Sequence, residues 1–130
     1  MSDNATPKSI RTYRDLVAWQ KGMELAQKVY LATKEFPAEE KYGLVAQMRR
    51  AAVSVPSNIA EGFGRGRKAE FRRFLEVGRG SLFELQTQAE LARRLGWIKG
   101  PALTGMRETM RELDAVLAGL LRSVNARQGP

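Results

Sequence analysis

Apolar residues recur at every third or fourth position through most of this 130-residue chain. Such spacing places them on one side of an α-helix, and no segment shows the sustained alternation of a β-strand. Turn residues divide the periodic regions into four segments with short connections. The pattern predicts an all-α protein, an antiparallel up-down-up-down four-helix bundle over residues 13–125. We expect residues 1–12 to form a flexible tail and residues 126–130 to be frayed.

Capping and breaking residues predict the helix boundaries. Helix one is expected to open with a capping box at Thr12 and Asp15 and to end near Phe36, before Pro37. Pro37 also suits the first turn of helix two, which we expect to end near Phe63. The other predicted boundary residues are Glu39 and Glu40 at the start of helix two, Arg67 or Lys68 and Gly96 at the two ends of helix three, and Gly100 and Pro101 at the start of helix four.

Pro56 lies within the apolar pattern of helix two. A proline inside a helix removes one backbone hydrogen bond and clashes with the preceding turn, so the helix either kinks or breaks there. The apolar stripe stays in phase across the proline, which favours a kinked single helix. Its members are Met48, Ala52, Val55, Ile59 and Phe63.

A second stripe on helix two is polar but contains mostly small or hydrogen-bonding side chains: Gln47, Arg50, Ser54, Asn58 and Glu61. We interpret it as a face in contact with another helix, another subunit or a ligand, the alternative being a solvent face that lacks lysine. On helix three, Ser81, Glu84 and Gln88 follow one face and are candidates to meet this stripe in a subunit interface or buried polar network. Gly78 and Gly80, inside the same helix, predict close approach of another backbone.

The formal net charge of +8 and the pI near 10.3 change this picture, because they favour an anionic partner. Nucleic acid is the first candidate, an acidic protein or membrane surface the next, and a purely colloidal role for the charge is the alternative. The candidate nucleic-acid-binding residues are Arg49, Arg65, Arg67, Lys68, Arg72 and Arg73.

All of these except Arg49 are expected to share one end of the bundle, because they surround the start of helix three. The glycine-rich turn between Gly62 and Gly66 is either an anion-contacting turn or a simple connection. Some arginines are alternatively candidates to bridge subunits, Arg50 above all, since it shares the polar stripe with Glu61.

The chain contains neither cysteine nor histidine. The commonest general base, thiolate metal ligands and histidine-containing di-iron sites are therefore excluded. No acidic cluster suggests another metal site. We expect no catalytic residues, no metal, no cofactor and no enzymatic activity. The absence of cysteine, of a signal peptide and of a bilayer-spanning segment predicts a cytoplasmic protein without a membrane partner.

Several phrases together resemble one family. They are Asp15-Leu16-Val17-Ala18-Trp19-Gln20-Lys21, Phe36-Pro37, Tyr42-Gly43-Leu44, Gln47-Met48-Arg49-Arg50-Ala51-Ala52, Ser57-Asn58-Ile59-Ala60-Glu61-Gly62, Phe74-Leu75, Gly80-Ser81 and Glu84-Leu85-Gln86-Thr87-Gln88. The chain is similar, from about Tyr13 to Ile98, to the four-helix-bundle proteins of intervening sequences in bacterial 23S rRNA genes, the S23 family. It departs from the family pattern at Gly64 to Lys68, where relatives often have a Ser or Thr helix cap.

The resemblance implies a four-helix bundle assembled as a ring-shaped homopentamer. Accessory proteins of diversity-generating retroelements are similar and bind nucleic acid and a reverse transcriptase through a basic surface. No residue here is diagnostic of that role, and the family has no established activity. We therefore expect a non-catalytic protein that binds structured RNA or DNA through phosphate contacts, the alternative being a protein-interaction scaffold with incidental charge. The assembly hypothesis requires that a second copy covers the polar stripe of helix two.

Overall fold

The computed structural model describes residues 9–126, and within that range it contains four α-helices and no β-strand. The helices are α1 (Val17–Thr33), α2 (Leu44–Gly64), α3 (Lys68–Arg94) and α4 (Gly100–Ala126). Two short 3-10 turns, Tyr13–Asp15 and Ala38–Glu40, precede α1 and α2. The predicted all-α four-helix fold is confirmed. Most of the predicted tail and frayed end, residues 1–8 and 127–130, lies outside the described residues.

Each helix packs against two neighbours in the cyclic order α1, α2, α3, α4. The contacts pair the late residues of one helix with the early residues of the next. Arg49, near the start of α2, bonds to Thr33 at the end of α1, and Lys28, in the second half of α1, bonds to Thr109 in the first half of α4. Neighbouring helices therefore run antiparallel, which brings the α2–α3 connection and the start of α1 to one end of the bundle.

The core is formed by the inward stripe of each helix. Met48, Val55 and Ile59 of the predicted apolar stripe are completely buried. Other fully buried members of the same core are Leu25, Val29, Leu75, Leu82, Leu85, Met106, Leu113 and Leu117. The spacing of three and four residues thus identified the inward faces.

Helix α1 begins later and ends earlier than its capping and breaking residues predicted. The capping box of Thr12 and Asp15 is present, but it closes the 3-10 turn Tyr13–Asp15. Leu16 is extended, with φ −77° and ψ 127°, so α1 starts only at Val17. The turn is held against α1 by an edge-to-face contact of the Tyr13 and Trp19 rings, whose centroids are 5.2 Å apart. At the other end, α1 stops at Thr33 rather than at Phe36.

The prediction that α2 starts at Pro37 is wrong. Pro37 caps the 3-10 turn Ala38–Glu40 instead, and Gly43, with φ −103° and ψ −115°, separates this turn from α2. The first amide of α2, from Leu44, donates to Glu40 Oε1 at 3.0 Å. A glutamate one turn upstream therefore supplies the first cap, which neither Gly43 nor Pro37 offers.

Pro56 lies inside a single continuous α2, as the in-phase stripe predicted. Its ring is buried against α1, where a Cβ on Gly22 would lie 3.2 Å from Pro56 Cβ. Glycine at this position allows α1 to approach the proline. The contact gives the interior proline a packing role that offsets part of its cost to the helix.

The two glycines inside α3 differ. A Cβ on Gly78 would lie 3.4 Å from the carbonyl oxygen of Val55, so the predicted close approach of α2 is confirmed there. Nothing lies within 4 Å of a Cβ on Gly80, so the same prediction is wrong for Gly80. A tighter contact occurs at Gly62, where a Cβ would lie 2.6 Å from Phe74 Cβ.

Candidate nucleic-acid interface

Two arginines at the α2–α3 end of the bundle flank one aromatic ring. The guanidinium carbons of Arg65 and Arg73 lie 5.1 Å and 4.6 Å from the centroid of the Phe74 ring. Phe74 itself is buried, as expected for a core residue. A cation over an aromatic face is attracted by the ring quadrupole, which holds the two guanidinium groups at this end of the molecule.

Both arginines also pair with a carboxylate of their own helix. Arg65 Nη2 lies 2.7 Å from Glu61 Oε2, and Arg73 Nη2 lies 3.2 Å from Glu70 Oε1. The side chains of these arginines remain about half exposed, at 48% and 58%. Exposed ion pairs of this kind contribute little free energy, so each guanidinium group can exchange its carboxylate partner for a phosphate.

Three further cations complete the group that we call the end cluster: Arg65, Arg67, Lys68, Arg72 and Arg73. Arg67 is exposed and is the N-cap of α3, with no side-chain hydrogen bond to the helix start. Gly66, with φ +78°, makes the turn that separates the two helices. Helix three begins at Lys68, as predicted. Because of the sequence departure at Gly64 to Lys68, α3 starts without a Ser or Thr cap.

Arg49 does not belong to the end cluster. Its Nε donates to Thr33 Oγ1 at 2.9 Å and its Nη2 donates to the Tyr30 carbonyl oxygen at 3.2 Å. The guanidinium carbon also lies 4.5 Å from the Tyr30 ring centroid. Arg49 therefore caps the C-terminal turn of α1, where unpaired carbonyls attract a cation. The antiparallel arrangement of α1 and α2 places this turn at the opposite end of the bundle.

The predicted polar network joins α2 to α3. Ser54 Oγ and Ser81 Oγ are 2.8 Å apart, and Asn58 Nδ2 donates to Ser54 Oγ at 2.9 Å. One turn further, Gln88 Nε2 donates to Glu84 Oε2 at 3.4 Å. Gln88 is buried, and its Oε1 has no hydrogen-bond partner.

This network changes the interpretation of the polar stripe. Ser54 and Asn58 contact α3 of their own chain, so they do not require a second copy to cover them. Gln47, Arg50 and Glu61 remain exposed, and Glu61 bonds to Arg65 rather than to Arg50. A cavity of about 310 Å³ is bordered by Gln47, Arg50, Ser54, Ser81 and Glu84. Their assignment to a subunit interface stays a prediction.

A second group of arginines, which was not predicted from the sequence, surrounds Glu90. Arg93 and Arg94 each lie 2.9 Å from Glu90 Oε2, and Arg107 of α4 lies 2.8 Å from Glu90 Oε1. Hydrogen bonds from Arg93 and then Arg94 lower the pKa of the Glu90 carboxyl to about 2. The spacing of Glu90 to Arg93 and Arg94 was visible in the sequence, whereas Arg107 joins them only through the pairing of α3 with α4.

Other ion pairs link the helices without forming a site. Arg79 Nε lies 2.7 Å from Asp114 Oδ1 between α3 and α4. On the α1–α4 side, the hydrogen bond to Glu112 raises the pKa of Lys21, and the hydrogen bond from Lys28 lowers that of Glu24. Among residues 9–126 no group of histidine, cysteine, aspartate or glutamate side chains is arranged to hold a metal ion. No helix in that range has the length and apolar character required to cross a bilayer.

Comparison with known proteins places the chain in a family. The model of the family described as "23S rRNA-intervening sequence protein" matches residues 14–119. The chain belongs to this family. The sequence resemblance is thereby confirmed for the S23 family, while similarity to retroelement accessory proteins stays a prediction. A search of curated protein sequences found no match.

A solved S23 structure shares the fold. It is described as a protein of unknown function from the S23 ribosomal protein family of Bacteroides thetaiotaomicron VPI-5482. The TM-score is 0.73 at 20% sequence identity, with 82% of this chain and 96% of the other covered. At that identity the likeness supports the S23 fold alone.

Proposed function

We propose that this S23 protein is a non-catalytic, oligomeric protein that binds structured RNA or DNA through phosphate contacts. The observation that carries the proposal is the pair of guanidinium groups of Arg65 and Arg73 held beside Phe74. The end cluster presents five cations around one helix connection, where Glu61 pairs with Arg65 and Glu70 pairs with Arg73. Guanidinium forks match the geometry of phosphate oxygens.

The end cluster is better suited to phosphates than to bases. Phe74 is buried beneath the arginines, and Phe71 packs edge-to-face on Phe63 with centroids 5.9 Å apart. Neither ring offers the open platform on which single-stranded bases stack. Contacts to the backbone of a double-stranded or folded nucleic acid need no such platform, and they are sensitive to salt because counterions are released on binding.

A titration of duplex DNA and structured RNA at two salt concentrations tests the proposal. We expect binding that weakens by more than about tenfold between roughly 50 mM and 200 mM salt, as several phosphate contacts require. Changing Arg65, Arg67 and Arg72 together to Glu should weaken it strongly. A matched control changes Lys34, Lys41 and Lys99 to Glu, which alters the net charge equally outside the end cluster. Absence of binding at low salt, or equal loss in both variants, would refute the proposal.

The second candidate function is a protein-interaction scaffold. A cavity of about 510 Å³ between α1 and α4 is bordered by Leu31, Trp97, Ile98 and Met106. Leu31 is 62% exposed there, so the border of this cavity offers apolar surface to a partner protein. This candidate gains support if the protein binds neither RNA nor DNA at low salt. Any enzymatic turnover that persists through purification would contradict both candidates.

Self-association is proposed through the outer face of α1 and α2. Met23 and Val53 are each 42% exposed on this face, and they border a cavity of about 280 Å³ together with Trp19 and Pro56. An apolar surface of this kind, contributed by two helices, is typical of the centre of a subunit interface. The resemblance to the S23 family suggests a homopentameric ring as the assembly.

A further inference from the structure

We infer that the α3–α4 face carries a second phosphate-contact surface and that one double-helical segment of nucleic acid spans both it and the end cluster. The second surface is the Glu90 cluster, defined as Glu90, Arg93, Arg94 and Arg107. The inference rests on the proposed function, which it deepens by naming a duplex, rather than a single strand or a compact loop, as the ligand.

The charge of the Glu90 cluster is the first argument. Three guanidinium groups share a single carboxylate, so two positive charges have no counter-charge within the cluster. The side chains of Arg93, Arg94 and Arg107 are 43%, 71% and 48% exposed, and all three therefore reach solvent. Arg111 of α4, which borders the adjacent cavity with Arg107, adds a further cation.

The position of the cluster is the second argument. Arg72, Arg79, Glu90 and Arg94 are separated by seven, eleven and four residues, which correspond to whole turns of a helix. They therefore follow one side of α3. The bonds of Arg79 to Asp114 and of Glu90 to Arg107 show that this side borders α4.

The length of this strip fits a duplex. From Arg72 to Arg94 the rise along α3 is about 33 Å, at about 1.5 Å per residue. One turn of B-form DNA is about 34 Å long, so a duplex lying along α3 brings its backbone back to the protein at both clusters. Two carboxylates that border the strip are paired with arginines, Asp114 with Arg79 and Glu90 with the arginines of its cluster.

The inference is tested by comparing the affinity of the protein for a short and a long duplex. Both RNA and DNA duplexes can be used, since they share the phosphodiester backbone. A duplex of about six base pairs reaches one cluster only, whereas one of about twelve reaches both. We expect the native protein to bind the longer duplex more than about tenfold more tightly than the shorter one. Changing Arg93, Arg94 and Arg107 to Glu should remove this advantage and leave affinity for the short duplex within about twofold.

A second variant tests the Glu90 cluster without reversing any charge, so that a loss of binding caused by unfolding can be recognised. Glu90→Gln removes the single carboxylate without introducing a repulsive charge, and we expect it to tighten binding of the long duplex by about threefold. The Lys34, Lys41 and Lys99 charge reversal is again the matched control and should retain the length advantage. Circular dichroism melting verifies that each variant is folded.

The experiments distinguish failure of the second surface from failure of the proposed function. If the native protein binds both duplexes but the triple arginine variant keeps the length advantage, the second surface is refuted while the proposed function stands. If Glu90→Gln weakens binding of the long duplex, the assignment of the cluster is likewise refuted. If the native protein binds no nucleic acid at low salt, the proposed function fails and the inference fails with it.

Discussion

At the scale of single residues, Gly62 marks the tightest contact between α2 and α3. A Cβ there would lie 2.6 Å from Phe74 Cβ and 3.3 Å from Phe71 Cδ1. Neither atom is the end of a flexible chain, so the helices would have to move apart. We expect Gly62→Ala to lower the free energy of unfolding by about 1–3 kcal/mol, the usual cost of overpacking, measured by urea denaturation.

The matched control for Gly62→Ala is Gly80→Ala in α3. A Cβ at Gly80 meets nothing within 4 Å, so alanine gains only the entropic advantage over glycine within a helix. We expect Gly80→Ala to raise the free energy of unfolding by about 0.5–1 kcal/mol. Equal effects of the two substitutions would contradict the contact assigned to Gly62.

These glycines also show what the sequence can predict about packing. A glycine inside a helix signals either a close approach or an unconstrained position, and Gly78 and Gly80 look alike in the sequence. The two differ because Gly78 lies on the inward side of α3, in register with Leu75 and Leu82. Gly80 is two residues further along and lies on the exposed side of the helix. Periodicity could have separated them, whereas the clash at Gly62 depends on the pairing of two helices.

Glu90 provides a prediction about pH. The neighbouring arginines lower its pKa to about 2, from an ordinary value of 4.5. Because the pKa is lower in the folded state, ionised Glu90 stabilises the fold above pH 4.5, and this contribution is lost as the pH falls toward 2. The stability difference between the native protein and Glu90→Gln should be constant from about pH 6 to 8 and shrink between about pH 5 and 2.

Urea denaturation of both proteins across this pH range measures the difference. The effect should be small, because the Glu90 cluster is exposed to solvent and its ion pairs are screened. High salt should reduce it further. A difference that grows on acidification would have the wrong sign for a carboxyl whose pKa is lowered by folding.

At the scale of helices, the start of α2 depends on one of two adjacent carboxylates. Glu40 Oε1 accepts a hydrogen bond from the Leu44 amide at 3.0 Å, while the neighbouring Glu39 is exposed. We expect Glu40→Ala to lower the free energy of unfolding by about 0.5–2 kcal/mol, as the loss of a helix cap does. Glu39→Ala should change it by less than about 0.5 kcal/mol.

Chemical denaturation of the two variants measures this difference, and Glu40→Gln adds a further control. The amide of glutamine retains an oxygen acceptor, so Glu40→Gln should recover part of the stability lost in Glu40→Ala. If Glu39→Ala is as destabilising as Glu40→Ala, the helix responds only to negative charge near its start, and the specific cap is refuted.

Helix interiors were predictable from the sequence, and helix starts were less so. The apolar stripe from Met48 to Ile59 identified the buried side of α2 across Pro56, because periodicity survives a single interruption. The starts of α1 and α2 were displaced because capping signals do not distinguish a 3-10 turn from an α-helix. The box at Thr12 and the proline at Pro37 each cap a short turn that ends before the helix begins.

At the scale of the whole molecule, the sequence predicted part of the candidate interface. The end cluster was predictable because its members are close in sequence and straddle one connection. The contact between Ser54 and Ser81 was also anticipated, since two polar stripes on neighbouring helices were candidates to meet. The Glu90 cluster was not, because Arg107 lies seventeen residues from Glu90 and joins it only in the folded bundle.

The same folding places the Glu90 cluster and the apolar face on different sides. The Glu90 cluster borders α3 and α4, while Met23 and Val53 lie on the outer face of α1 and α2. A ring that closes through the α1–α2 face would therefore leave the Glu90 cluster of every subunit exposed. Such an arrangement multiplies the phosphate contacts available to a long nucleic acid, which raises its avidity.

Self-association is open to direct measurement by light scattering. At micromolar concentration we expect a particle of about five times the 14.5 kDa chain mass, since the resemblance to the S23 family implies a pentameric ring. Changing Met23 and Val53 together to Glu should dissociate it, because charges buried at the centre of an interface are not compensated there. Leu31→Glu, an equally drastic change on the α1–α4 side, should leave the mass unchanged. A particle near 14.5 kDa for the native protein would exclude the ring, and dissociation by Leu31→Glu alone would move the interface to the α1–α4 side.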